Sequence, residues 1–220
     1  MAIRLHFQEE MDAVRDIASR MAALVEDAIR LSMSSVLKRD RDLAERVVKG
    51  DKEINRLHMQ LREQVFTIIS TQAPVASDLR LLIGVLYIGA ELERMGDYAT
   101  RIAKRSRRLA GQPESARTVY VELGQMGELV EKQVHDILDA FIRVDQEAAR
   151  EVAERDDAID QLYRKIFGDQ IALLTEEPEF ALRTQYMLNV AHTLERLADR
   201  VTNVAEDIVF LATGDVVELD

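Results

Sequence analysis

LERMGDYATRIA at residues 92–103 returns as LERLADRVTNVA at 194–205, with Leu, Glu, Arg, Asp, Thr and Ala at matching places. Upstream, DKEINRL (51–57) matches DDAIDQL (156–162), Asp40 matches Asp145, and Pro74 matches Pro178 with a small change in loop length. The correspondence covers three consecutive helical segments, so the chain is read as one three-helix unit written twice. Gly111-Gln112-Pro113 is the natural seam. The expected division is 1–111 for the first unit and 112–220 for the second.

Composition fixes the class of those segments. The chain is 47% apolar and 31% charged, with only nine Gly and three Pro in 220 residues. It is rich in Ala, Leu, Glu and Arg, all strong helix formers. Pro74, Pro113 and Pro178 mark helix boundaries. Charged breaks at Lys38–Asp42 and at Val144-Asp145-Gln146 add two more, the first offering Asp42 and Glu45 at capping-box spacing. Six long helices are predicted near 9–38, 43–71, 78–110, 116–144, 147–174 and 179–213. At about 1.5 Å per residue these are rods of roughly 40 to 50 Å. Short loops make successive rods antiparallel, so the fold expected is all-α, two tandem antiparallel three-helix bundles.

Charge and composition also exclude function classes. A net charge of −11 argues against general nucleic-acid binding. With no cysteine, a metal site would have to use oxygen or histidine ligands, and a reducing compartment is expected. The start, MAIRLHFQEEMD, lacks the apolar stretch of a secretion signal, which points to the cytoplasm. The most apolar run, LLIGVLYIGA at 81–90, is about half the ~20 residues of a membrane span and is read as core helix, with no membrane insertion.

On a helix turning about 100° per residue, Leu82, Val85, Gly89, Leu92, Gly96, Ala99 and Ala103 form one apolar stripe. Glu93 and Asp97 lie on its edge, where two like charges four apart disfavour the helix by roughly 0.2–0.5 kcal/mol unless something compensates. The small residues of the stripe let a neighbouring helix approach closely. Glu195 and Asp199 hold the same places in the second repeat, and Asn203 and Glu206 continue that line. The preceding helices supply Asp51 and Asn55 in the first repeat, and Asp156 and Asp160 in the second, again four apart. If helices two and three of each unit pack antiparallel, the sets converge.

Clustered carboxylates stay ionised together only beside a cation or a basic side chain, and this oxygen-rich set suits divalent Mg, Mn, Fe or Zn. The bland alternative is a solvated helix edge paired with Arg94, Arg101 or Arg196, worth ~0–1 kcal/mol per pair. Repetition of the pattern in both units favours metal. His6, His58, His135 and His192 are scattered, and none has the Glu-x-x-His spacing of di-iron bundles. His192 stands one turn before Glu195, but its counterpart is Ala90, and it is read as a core or boundary residue. The basic run Arg101, Lys104, Arg105, Arg107 and Arg108 complements the negative end of its helix. Its sharper reading is a docking surface for an acidic partner or a phosphorylated ligand.

With these residues in view, LERMGDYATRIAK, LERLADRVTNVAE and TQAPVASDLRLL (71–82) resemble the PhoU family of phosphate-transport accessory and regulatory proteins, over nearly the whole chain. The resemblance implies two three-helix bundles, each with a multinuclear iron or zinc cluster on its carboxylates. It implies a non-enzymatic negative regulator of phosphate-starvation signalling, bridging a phosphate ABC transporter ATPase and a sensor histidine kinase, and a homodimer. Glu93 and Asp97 match the first motif; Glu195, Asp199 and Asn203 match the second. Asp51, Asn55, Asp156 and Asp160 match the acidic segment of the preceding helix. Arg101 departs, standing where the second motif has Asn203, which sets the first cluster apart from the second. A metal-dependent helical enzyme and a metal-free spectrin-like adaptor are the alternatives. No cysteine nucleophile, glycine-rich phosphate loop or Ser/His/Asp arrangement supports catalysis.

Overall fold

A computed structural model of the chain describes residues 2–113 and 120–219, with side chains described from residue 7 onward. The expected start of the fourth helix at 116 and the side chain of His6 lie outside the described residues.

The six expected rods are present, the fifth with a break. They are α1 (Ala2–Leu37), α2 (Arg41–Gln72), α3 (Ala76–Leu109), α4 (Tyr120–Arg143), the pair α5 (Gln146–Ala153) and α6 (Asp156–Glu176), and α7 (Ala181–Thr213). A short 3-10 turn at Pro178–Phe180 leads into α7. The break at Glu154–Arg155 has no counterpart in α2, which runs unbroken through Lys49 and Gly50. Its consequence is that Asp156 opens α6 and sits in a first helical turn, where a carboxylate is favoured.

The repeat is visible at the helix starts. Asp40 caps α2, its side chain accepting from the backbone N–H groups of Asp42 and Leu43 at 2.9 and 3.0 Å. Its repeat partner Asp145 caps α5, accepting from the N–H of Ala148 at 3.1 Å. The cap of α2 is therefore Asp40 and not the expected Asp42; the side chain of Glu45 instead pairs with Arg107 at 2.8 Å. The residue before each cap, Arg39 and Val144, is left-handed at φ 53° and 52°.

Within the first unit α1, α2 and α3 pack against one another; in the second, α4, the α5–α6 rod and α7 do the same. Two further contacts join the units, α3 against α7 and α1 against α4. Both are antiparallel. Gly84 faces Leu211 and Gly214 faces Arg80 along α3 and α7, while Gly127 faces Met33 and Gly124 faces Leu37 along α4 and α1. Equivalent helices meeting antiparallel is the signature of an internal pseudo-twofold. One continuous apolar core results, including Met21, Ile29, Leu61, Ile88, Met95, Val130, Leu194 and Leu197.

The expected stripe on α3 is buried throughout. A second stripe, Ile88, Met95, Ile102 and Leu109, is buried as well, because α3 lies between its own unit and α7. At Gly96 a Cβ would come within 3.0 Å of Ile54 Cδ1, and at Gly89 within 2.5 Å of Leu61 Cδ2. These glycines let α2 close onto α3, and that closeness is what positions the acidic residues.

Candidate functional site

Antiparallel packing of α2 on α3 brings the first acidic set together. Asp51, Asn55, Glu93 and Asp97 are all partly buried. Asn55 Nδ2 donates to Asp51 Oδ2 at 3.1 Å, while Asp51 Oδ1 and Asn55 Oδ1 are buried without a hydrogen-bond partner. Burial, then the neighbouring Asp97 and Asp51 carboxylates, push the Glu93 carboxyl above its ordinary range.

The arginines expected to neutralise these acids make their closest contacts with other groups. Arg94 pairs with Glu91 at 3.1 Å, and Arg196 donates to the Tyr98 hydroxyl at 3.2 Å. The Arg101 guanidinium lies 5.0 Å above the Tyr98 ring centroid. Among the described residues Glu93, Asp97 and Asp51 have no salt-bridge partner. Glu93 and Asp97 face a cleft of ≈ 350 Å³, shared with Arg94, Tyr98, Arg101, Arg196 and Arg200, so guanidinium groups stand near the acids without closing an ion pair on them.

The second acidic set assembles the same way. Asp156 is pushed from 3.8 up to about 6 by burial, then by Asp160, Asp199 and Glu195. Glu195 is raised by burial and Asp199, opposed by His192. Asn203, Asp156 and Asp199 line one cleft of ≈ 710 Å³. Asp160 is also drawn outward, to Arg164 at 2.8 Å. His192 is exposed and not a core residue, with Nδ1 3.1 Å from Glu195 Oε2. Among the remaining described histidines, His135 Nδ1 meets Glu26 Oε1 at 2.9 Å across α4 and α1. That carboxylate raises the imidazole above its usual range. His58 is half-buried and lowered, by burial first and Arg62 second.

All nine predicted ligands thus fall into two sets, each at an interface between the second and third rods of one unit. Among the described residues, no three Asp, Glu or His side chains are gathered closely enough to hold a metal ion as they stand. Closing a shell requires side-chain rotation. The donor chemistry nonetheless fits a hard or borderline divalent ion: oxygen ligands, buried lone pairs without partners, and mutually repelling acids.

Two features escaped sequence reasoning. Residues after Gly214 fold back so that the Leu219 N–H donates to Glu206 Oε1 at 3.0 Å, and Val216–Leu219 border the second cleft. A network also crosses between units: Arg200 Nη1 lies 3.3 Å from Glu91 Oε2, both side chains largely buried. Asp207 nearby is pushed from 3.8 up to about 7 by burial, then Glu91 and Glu206. Glu91 has Thr193 as its repeat counterpart, so the duplication gave no hint of it. The heptad Ile88, Met95, Ile102, Leu109 was the available sign that this face is covered.

Comparison with known proteins matches the PhoU domain family model twice, at residues 18–106 and 123–208. The chain is 34% identical over 215 residues to a phosphate-specific transport system accessory protein PhoU homolog of Clostridium acetobutylicum, covering 97% of both chains. It is 36% identical over 208 residues to the Zymomonas mobilis homolog, covering 94% of this chain and 87% of that one. The crystal structure of PhoU from Pseudomonas aeruginosa superposes with a TM-score of 0.91 at 32% identity, over 95% of this chain and all 100% of that one. The phosphate transport system regulatory protein PhoU from Streptococcus pneumoniae gives 0.88 at 27%, over 97% and 100%.

Proposed function

The chain belongs to the PhoU family, and from that premise we propose that it is an accessory and regulatory protein of phosphate transport. The observation that carries this reading is that the family match falls on both repeats, and that each repeat sets a Glu-x-x-x-Asp pair against acids from the preceding rod. The finer reading is a non-catalytic, cytoplasmic, homodimeric linker between the phosphate ABC transporter ATPase and a sensor histidine kinase. Through that link it represses the phosphate-starvation response when phosphate is plentiful. Among the described residues no helix is long and apolar enough to cross a membrane.

In the proposed metal-bound form, iron or zinc, Asp51, Asn55, Glu93 and Asp97 hold one cluster, and Asp156, Asp160, Glu195, Asp199 and Asn203 the other. Bound metal would add positive charge directly between the carboxylates of each set. The protein's own part is to tether the second rod to the third, with a ligand pair from each rod in the first unit and, in the second, a pair from α6 and three residues from α7. The buried, partnerless Asp51 Oδ1 and Asn55 Oδ1 support this assignment.

Deleting the gene tests the regulatory reading. Phosphate-starvation genes should become active in high phosphate and fall silent again on complementation; continued repression in the deletion strain, with no second copy present, would refute it.

A further inference from the structure

A cleft of ≈ 530 Å³ at the end of the first unit is lined by Arg41, Arg101, Lys104, Arg105, Arg107 and Arg108. Arg101, Lys104, Arg105 and Arg108 fall at i, i+3, i+4 and i+7, a single face of α3. Like charges four apart, as in Arg101/Arg105 and Lys104/Arg108, each disfavour the helix by roughly 0.2–0.5 kcal/mol.

Structural needs do not account for them. The negative end of α3 is already served by Arg39, whose Nη2 donates to the carbonyls of Ala110 and Gln112 at 3.2 and 2.5 Å. The helix-end field fades within the last turn, and Arg101 and Lys104 lie before it. Of the six cations Arg107 is paired, with Glu45 at 2.8 Å. Arg41, Lys104, Arg105 and Arg108 have no carboxylate partner among the described residues. The repeat offers a further control: the residues matching Arg101, Lys104, Arg105 and Arg108 are Asn203, Glu206, Asp207 and Phe210. The same helix position is built with acid in one unit and base in the other, so the fold itself does not ask for base.

The geometry points to an anion site that takes a compact chain of two or more linked phosphoryl groups. Five of the lining residues are arginine, whose planar fork bonds phosphate oxygens in pairs, where lysine offers only a point charge. Among the described residues no aromatic or aliphatic side chain lines the cleft, so it has no apolar anchor of the kind that dominates protein interfaces. The chain as a whole carries a net charge of −11, so six cations and, among the described residues, no carboxylate lining one cleft stand out against the rest of the molecule.

The test is calorimetric titration of the full chain, in metal-free buffer, with tripolyphosphate, ATP, orthophosphate and vesicles containing phosphatidylserine. Tripolyphosphate and ATP should bind equally well, at least about tenfold more tightly than orthophosphate, and more weakly as salt rises. Lys104→Ala/Arg105→Ala/Arg108→Ala should lose about tenfold or more in affinity. Arg105→Lys/Arg108→Lys, which keeps every charge, should lose an intermediate amount and decides the matter if the triple variant melts early. The proposal is overturned if tripolyphosphate binds no better than orthophosphate, if both variants bind as the parent does, if ATP binds and tripolyphosphate does not, or if vesicles alone bind. The metal-free buffer keeps the result independent of the carboxylate clusters.

Discussion

Asn55 donates its amide N–H to Asp51 Oδ2, and Asp51 Oδ1 and Asn55 Oδ1 are left buried and without a hydrogen-bond partner. One hydrogen bond therefore pre-sets two ligands while leaving their lone pairs unused. Chelator-free protein should contain metal, and Glu93→Ala/Asp97→Ala and Glu195→Ala/Asp199→Ala should each lose about half of it by elemental analysis. Unaltered metal content in both variants would end the cluster assignment. After chelation, the second site should be the strained one. Asp156 lies above its unfolded value, so the stability linked to it is complete below about pH 4 and lost as pH rises through about 6. Asp156→Asn should accordingly raise the unfolding free energy of the chelated protein at pH 8, read by urea titration, by about 1–2 kcal/mol after solvent screening, while weakening metal retention.

Glu91 and Arg200 form the most enclosed ion pair between the two units. Removing one partner leaves the other charged and buried. Glu91→Ala should cost about 2–4 kcal/mol in chemical denaturation. Adding Arg200→Ala should recover part of that loss, giving an interaction energy above about 1 kcal/mol in the double-mutant cycle. Purely additive effects would mean the pair contributes nothing to the seam.

Asp207 gives the molecule a pH signature away from the predicted ligands. Its folded value of about 7 exceeds the unfolded 3.8, so the native state binds the extra proton between those limits. Stability from this group is full below about pH 4 and declines towards pH 7. Asp207→Asn should flatten the stability profile across that window and melt higher than the parent at pH 8. A parallel profile in parent and variant would contradict the placement.

Val144 is a β-branched residue at φ 52°, 38% exposed and outside the buried core. Val144→Gly should relieve the left-handed strain and stabilise by roughly 0.5–1 kcal/mol despite the added chain entropy. Its repeat partner supplies the contrast: Arg39→Gly should destabilise, because Arg39 also donates to the carbonyls of Leu109, Ala110 and Gln112 at and just beyond the end of α3. Thermal melts of the pair distinguish backbone relief from loss of a cap.

Much of this was legible because a repeat is a strong signal. LERMGD and LERLAD, with the acids upstream, located both carboxylate sets, since helical period and small-residue placement are local properties. What the sequence hid lies between elements. Glu91, Arg200 and Asp207 meet across the pseudo-twofold, and no spacing within α3 or α7 announces which faces will touch. The break before Asp156 was masked by helix-forming residues on both sides. The return of Val216–Leu219 over Glu206 rests on the Leu219 N–H to carboxylate bond and the packing of Leu219 on the core, which no periodicity encodes.

Arg200 stands at the border of both acidic clefts, beside Glu93 and Asp97 in one and Asp156 and Asp199 in the other. A duplicated protein invites a count of two equal, independent seats. A guanidinium common to both argues against that: in the proposed metal-bound form, positive charge gathered in one cleft would act on Arg200 at the border of the other. A titration with divalent cations should then read unequal steps, the occupancy of one half carrying information about the other.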